Sequence, residues 1–403
     1  MIEYLRDTFH RLIDELNLDT YRYLYPEFNI DRRLTGLIGP RGVGKTTLLL
    51  QFIKNHLYKQ REAFYFSADH IAFSKITILE FVTDLYQKEG IKIFFIDEIH
   101  KYANWQQEIK NLYDSFPSIK IIFSGSSSMD LIKGSYDLSR RLVTFDLHGL
   151  SFREYLNFKT NQTIEKIPLE KLLLQYSDFD NKLAQIPKIK GHFEDYLSKG
   201  YYPFVFEDPE TYYEKIERII EKTIHEDIAN YYNLKTPNLI YFKKILSFLS
   251  SIPPGEVNTS SLAKGLSIDS KTTLHYLNIL EECGLVHLVS PYQGGNHSLR
   301  KSQKIFLNNT SLLNAINCSQ GMPVHVGTQR ELFFLQMMTN TGNTLYFSRE
   351  GDFQTKHQIF EIGGKNKTFE QIKDTKKPAF LVKDDILTSS KNVIPLYYFG
   401  FIY

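Results

Sequence analysis

Cysteine is scarce in this 403-residue chain. Only Cys283 and Cys318 occur, which excludes a disulfide framework, and two isolated thiols without His or Cys at ligand spacing make no zinc site. Long apolar runs are missing as well. No stretch approaches the roughly 18 continuous apolar residues that a membrane helix needs. The opening Met1-Ile-Glu-Tyr-Leu-Arg-Asp7 carries charge where a secretory signal needs an apolar run. A dominant charge is absent too: 48 Lys+Arg against 46 Asp+Glu leave +2, so no whole-chain polyelectrolyte effect follows. Internal repeats and low-complexity tracts are not evident. These absences together predict a soluble, cytoplasmic protein with no membrane partner.

What is present is globular. Hydrophobic residues make up 42% and charged residues 23% of the chain. The length corresponds to two to four domains at about 150 residues each. Charge is mildly uneven: residues 231–403 hold 18 Lys/Arg and 12 Asp/Glu, leaving 30 and 34 for residues 1–230. A basic C-terminal half of that size is compatible with nucleic acid without requiring it.

Ile2, Leu5, Phe9, Leu12, Ile13 and Leu16 recur at helical spacing, so the chain opens with an amphipathic helix. Five apolar runs follow: Leu34–Ile38, Ala63–Ser67, Ile91–Ile96, Ile119–Ser124 and Leu142–Leu147. Near-continuous apolar strands separated by helix-length segments predict a parallel sheet covered on both faces, over residues 1–150. Residues 151–235 read as a helical extension. Over 236–318 the expected order is helix, short helix Thr259–Leu266, helix Lys271–Cys283 capped by Ser270, then a hairpin Leu285–Ser290 and Lys304–Leu307 about Gly294-Gly295. That order is a helix-turn-helix with a wing. Residues 319–403 are expected to hold a helix about Arg330–Met338 and strands Thr344–Ser348, Gln358–Ile362 and Ala379–Val382.

The most specific chemistry lies in Gly39-Pro40-Arg41-Gly42-Val43-Gly44-Lys45-Thr46-Thr47, which satisfies G-x(4)-G-K-[ST] between a strand and a helix. Its glycines let successive N–H groups turn inward as an anion nest at a helix N-terminus. Lys45 adds a charge for the β- and γ-phosphates of ATP, and Thr46 a hydroxyl ligand for Mg²⁺. A second signal is independent. Ile93-Phe-Phe-Ile-Asp97-Glu98 is a buried strand ending in two acids, where Asp97 holds Mg²⁺ through water and Glu98 serves as general base. A third strand ends in Ser124-Gly-Ser126; both serines are candidates to position water, with Ser126 favoured. Arg140 and Arg141 are candidates for a cation that meets transition-state charge, in cis or towards a neighbouring subunit. No Asn-Lys-x-Asp guanine signature is evident. His100 and Trp105, close to the acids, are expected to be core residues.

These residues resemble prokaryotic AAA-type ATPases with a C-terminal DUF4143 region. The likeness runs through Gly39–Thr47, Phe95-Ile-Asp-Glu-Ile-His-Lys101 with Asn104-Trp105, Phe123–Ser128, Asp137–Leu142, Leu150–Tyr155 and Phe360–Lys367. It implies an α/β P-loop NTPase of the AAA+/ASCE type, followed by a helical extension, a winged-helix module and a C-terminal α/β domain similar to PD-(D/E)xK nucleases. Where the family reads Ser-Gly-Arg this chain has Ser139-Arg140-Arg141, which aligns the family's arginine with Arg141. The nuclease chemistry needs carboxylates and a lysine. Glu331, Asp352 and Glu361 are available, but the lysine position is Gly363. Strand alternation puts 361, 363 and 365 on one face, so Lys365 substitutes or the site is dead. On the winged helix, Lys271, Thr272, Thr273, His275 and Tyr276, with Arg300 and Lys301 near the wing, are candidate DNA contacts, whereas such modules also serve as packing or protein-contact domains. A homo-oligomer or a protein partner is the alternative expectation.

Overall fold

The computed structural model describes residues 2–60, 62–125, 138, 140–229, 232, 234–254, 259–292 and 303–403. They form two compact units, residues 1–149 and 150–403.

The first unit is built on a five-stranded sheet in the order β2-β3-β4-β1-β5. Its strands are β1 Leu34–Ile38, β2 Ala63–Ser67, β3 Ile93–Asp97, β4 Lys120–Gly125 and β5 Leu142–Asp146, every pair parallel. All five residues of both β1 and β3 are buried, as runs covered on two faces require. The helices are α1 Ile2–Asp14, α2 Lys45–His56, α3 Ile78–Glu89 and α4 Trp105–Ser115. α1 buries Leu5, Phe9 and Ile13, the stripe its spacing predicts. α3 starts in a reciprocal cap: the Thr77 hydroxyl accepts from Glu80 N and the Glu80 carboxylate accepts from Thr77 N. Because β4 lies between β1 and β3, the ends of the loop-bearing strand and the acid-bearing strand open towards one crevice.

The second unit begins with helices. Phe152–Thr160 is capped by Ser151 and Glu154, and Tyr212–Lys222 continues as a π-helical turn, Thr223–Ile228. Helices Thr236–Ser251, Thr259–Leu266 and Ser270–Glu282 lead into an antiparallel pair, β6 Val286–Val289 with β7 Lys304–Leu307. The cap of Ser270–Glu282 corrects the expectation. Asp269, not Ser270, accepts from the backbone N–H groups of Lys271 and Thr272. The helix therefore starts one residue earlier than the side-chain pattern suggests. The expected Gly294-Gly295 turn lies outside the described residues.

A mixed five-stranded sheet closes the unit, in the order β12-β11-β10-β9-β8. β10 Ile359–Gly363, β11 Ala379–Lys383 and β12 Val393–Pro395 are parallel, while β9 Phe353–Gln354 and β8 Tyr346–Phe347 pair antiparallel. Helix Val326–Asn340 packs on this sheet through Phe334, whose ring lies 5.0 Å from Phe360 and 4.8 Å from Phe399. No described helix is long and apolar enough to cross a membrane.

Candidate nucleotide site

The loop after β1 has the backbone that its glycines allow. Gly42 and Gly44 adopt φ 79° and 95°, values that a side chain disfavours. Gly39 is needed for space instead, since a Cβ there would come within 2.1 Å of the Leu147 carbonyl oxygen. Val43 and Lys45 are buried. The Lys45 ammonium donates to the carbonyls of Gly39 at 2.8 Å and Pro40 at 2.9 Å.

The loop is braced by a segment not singled out in the sequence. Buried Arg22 donates to the carbonyl of Val43 and, at 2.7 Å, to that of His148. The Tyr23 hydroxyl donates to the Asp146 carbonyl at 2.7 Å. On α2, Gln51 donates to the carbonyls of Asn17 and Thr20, at 3.1 and 2.8 Å. Residues 17–23 thus tie the loop to the end of β5. A lone arginine before a strand carries no pattern that would have marked it.

At the tip of β3, Asp97 is 3% exposed, and the structure brings it to the loop: the Thr46 hydroxyl donates to Asp97 Oδ2 at 2.6 Å. The Tyr65 hydroxyl donates to the same oxygen at 2.8 Å. Ser124 donates to Asp97 Oδ1, and Ser124 Oγ accepts from Glu98 N at 3.0 Å. Glu98 N also lies 3.2 Å from Asp97 Oδ1. Burial, then the adjacent Asp97 carboxylate, hold the Tyr65 phenol well above its usual pKa, so it stays a donor. Glu98 itself sits in the left-handed region, φ 51°, where non-glycine residues concentrate at functional turns. His100 packs beside it, Nε2 3.4 Å from Glu98 Oε2, with a side chain only 6% exposed. Trp105 is buried against Phe123, ring centroids 5.6 Å apart.

Other expected residues are placed differently. Ser126 lies outside the described residues, so of the two serines only Ser124 has a geometry, and it points to the acids. Arg141 forms an ion pair with Asp114 at 2.7 Å and lies over the Tyr113 ring, while Arg140 is exposed. On helix Ser270–Glu282, Lys271 and His275 face outward, but Thr273 and Tyr276 are buried, which removes those two from the expected contact face. Thr272 donates to Asp269 as part of the cap. Arg300 and Lys301 lie outside the described residues.

The tail cluster also differs from expectation. β10 ends at Gly363, so the alternation that pointed to Lys365 stops before reaching it; Lys365 is exposed. Lys367 takes that place. Its side chain folds over Gly363, where a Cβ would meet Lys367 Cβ and Cγ at 2.6 Å, and its ammonium pairs with fully buried Glu361. Glu361 Oε2 has no hydrogen-bond partner. Burial, then the Asp352 carboxylate, push Glu331 up to about 7. Asp352 is held by an Ile362 N–H at 2.8 Å. Among the described residues no three His, Cys, Asp or Glu side chains stand close enough to hold a metal ion as a set.

A glycine-lined loop entering a helix, an acid pair one strand away and a parallel sheet with β4 between them define a P-loop nucleotide-binding fold. Residues 31–156 match the model of the AAA domain family. Residues 190–322 match DUF8612, a domain of unknown function, which corrects the expected DUF4143. An uncharacterized protein of Methanocaldococcus jannaschii, MJ1637, is 33% identical over 292 residues, covering 69% of this chain and 61% of that protein. The chain therefore spans about three fifths of that relative's length. Among solved structures, AMPPCP-bound DnaA from Aquifex aeolicus is matched at 18% identity and TM-score 0.26, over 68% of this chain and 86% of that one. PCH-2 of C. elegans is matched at 17% and 0.25, over 40% and 44%. A katanin self-assembly structure is matched at 19% and 0.26, over 40% and 58%. Scores of this size transfer no property of those proteins.

Proposed function

We propose that the chain binds and hydrolyses ATP at the loop 39–47. The observation that carries the reading is the 2.6 Å bond between Thr46 and Asp97, which joins the loop hydroxyl to the acid pair. On binding, Lys45 leaves the carbonyls of Gly39 and Pro40 and meets the β- and γ-phosphates, while inward N–H groups of residues 42–46 take the phosphate oxygens. Glu98 accepts a proton from water, the water oxygen bonds to the γ-phosphorus, and the bond from that phosphorus to the bridging oxygen of ADP breaks. Thr46 and Asp97 offer hard oxygens side by side, which fit Mg²⁺; when bound there it neutralises phosphate charge. Glu98→Gln tests the base: bound nucleotide with turnover down at least a hundredfold is expected, and unchanged turnover refutes it.

Coupling to DNA is supported by the outward Lys271 and His275 of helix Ser270–Glu282. ATPase rate measured with and without duplex DNA across a salt series tests this. Stimulation that falls steeply with salt supports it. Indifference favours a nucleotide-dependent switch for a protein partner, or for a second copy that receives exposed Arg140. A second reading, Mg²⁺-dependent phosphodiester cleavage in the tail, is favoured by Lys367 over Gly363 beside Glu361 and Asp352. It requires cleavage that disappears in both Asp352→Ala and Lys367→Met.

A further inference from the structure

Asp97 is unusually well supplied with donors. An ionised carboxylate has about four acceptor positions. Thr46 and Tyr65 fill those of Oδ2; Ser124 and the Glu98 N–H fill those of Oδ1. A cation that reaches Asp97 through its water needs one of these positions. Thr46 can keep its bond, because a hydroxyl donates its proton while its oxygen remains free to coordinate. Ser124 is also bound to the Glu98 backbone, and the Glu98 N–H is fixed by the chain. Tyr65 is different. It comes from β2, outside both the loop and the acid turn, and its ring is held separately, 6.2 Å from Phe9 of α1.

We infer that Tyr65 is a placeholder for the cation: its hydroxyl holds Asp97 in position in the resting site and surrenders that bond when Mg²⁺ enters with nucleotide. The inference rests on the nucleotide reading and adds a residue to the cation site. Tyr65 acts through Asp97, so it is a positioning residue. It also sets the affinity for Mg²⁺, because its bond must be given up for each cation taken.

The experiment uses the full chain and its Tyr65→Phe variant, which keeps the buried ring. Mg²⁺ is titrated calorimetrically into protein saturated with a non-hydrolysable ATP analogue. The concentration for half-saturation should fall about three- to tenfold in the variant, the scale of one lost competing hydrogen bond. Affinity for the analogue without Mg²⁺ should not change. A half-saturation that is unchanged or raised overturns the placeholder role. A double-mutant cycle of Tyr65→Phe and Asp97→Asn, read by thermal unfolding without nucleotide, should show coupling. Additive effects overturn the Tyr65–Asp97 latch itself. A parent chain with no Mg²⁺-dependent nucleotide affinity sinks the nucleotide reading and the cation half of this inference together, whereas an additive cycle removes the latch alone.

Discussion

Each of the two units buries a carboxylate on a strand with parallel neighbours, Asp97 at the tip of β3 and Glu361 midway along β10, and the two are treated in opposite ways. Among the described residues, Asp97 on β3 is ringed by hydroxyl and backbone donors and is bonded to no lysine. Glu361 on β10 receives the ammonium of Lys367, and burial, then the Asp352 carboxylate, raise its pKa. Neutral donors orient an anion without cancelling its charge, which suits a cation yet to arrive. An ammonium cancels the charge in place, which suits a resting fold or a site that has to be opened. A buried strand carboxylate therefore serves two purposes, decided by its neighbours.

The largest expected effect tests the catalytic side of this contrast. Glu98→Gln should lower turnover by about 10²- to 10⁴-fold with nucleotide still bound, measured by phosphate release and by analogue titration. Next, Ser124→Ala removes a buried donor from Asp97 and the acceptor of the Glu98 N–H. It should cost about 1–3 kcal/mol in denaturant unfolding and lower turnover as the acid turn loosens. If Ser124→Ala is silent in both, the donor ring around Asp97 is ornamental.

In the second unit, Lys367→Met leaves buried Glu361 without its counter-charge. A loss of about 1–2 kcal/mol is expected, since the lysine itself is 37% exposed, and Glu361→Gln in the same background should restore part of it. The smallest effect is a pH dependence. Glu331 titrates at about 7 in the folded chain against an ordinary glutamate value near 4.5, so the folded state holds the proton longer. Stability should fall as pH rises from about 4.5 through about 7 and level off above. Glu331→Gln should flatten that slope and be the more stable protein at pH 8. Equal slopes in the two proteins would remove Glu331 from the cluster.

Much of the first unit was legible because its signals are local. Leu34–Ile38 and Ala63–Ser67 are near-continuous apolar runs and form strands with those bounds. The loop and acid pair are read from spacing alone, and the fold brings them together. Tyr65 was not legible: in an apolar strand its ring reads as core, and only the pairing of β2 with β3 aims its hydroxyl at Asp97. Arg22 was hidden for a similar reason, since its partners are backbone carbonyls more than 20 residues away. In the tail, alternation pointed to Lys365 although Gly363-Gly364 marks the end of β10, and the turn that follows delivers Lys367 instead. β9 and β12, two and three residues long, are too short to show a period.

Equilibrium binding of ATP to the full chain and to Lys45→Ala, each with and without Mg²⁺, bears most directly on all of this. Affinity that Mg²⁺ strengthens in the parent and that collapses in the variant is the predicted result. Equal binding by both proteins, or none by the parent, contradicts a triphosphate cradle at residues 39–47.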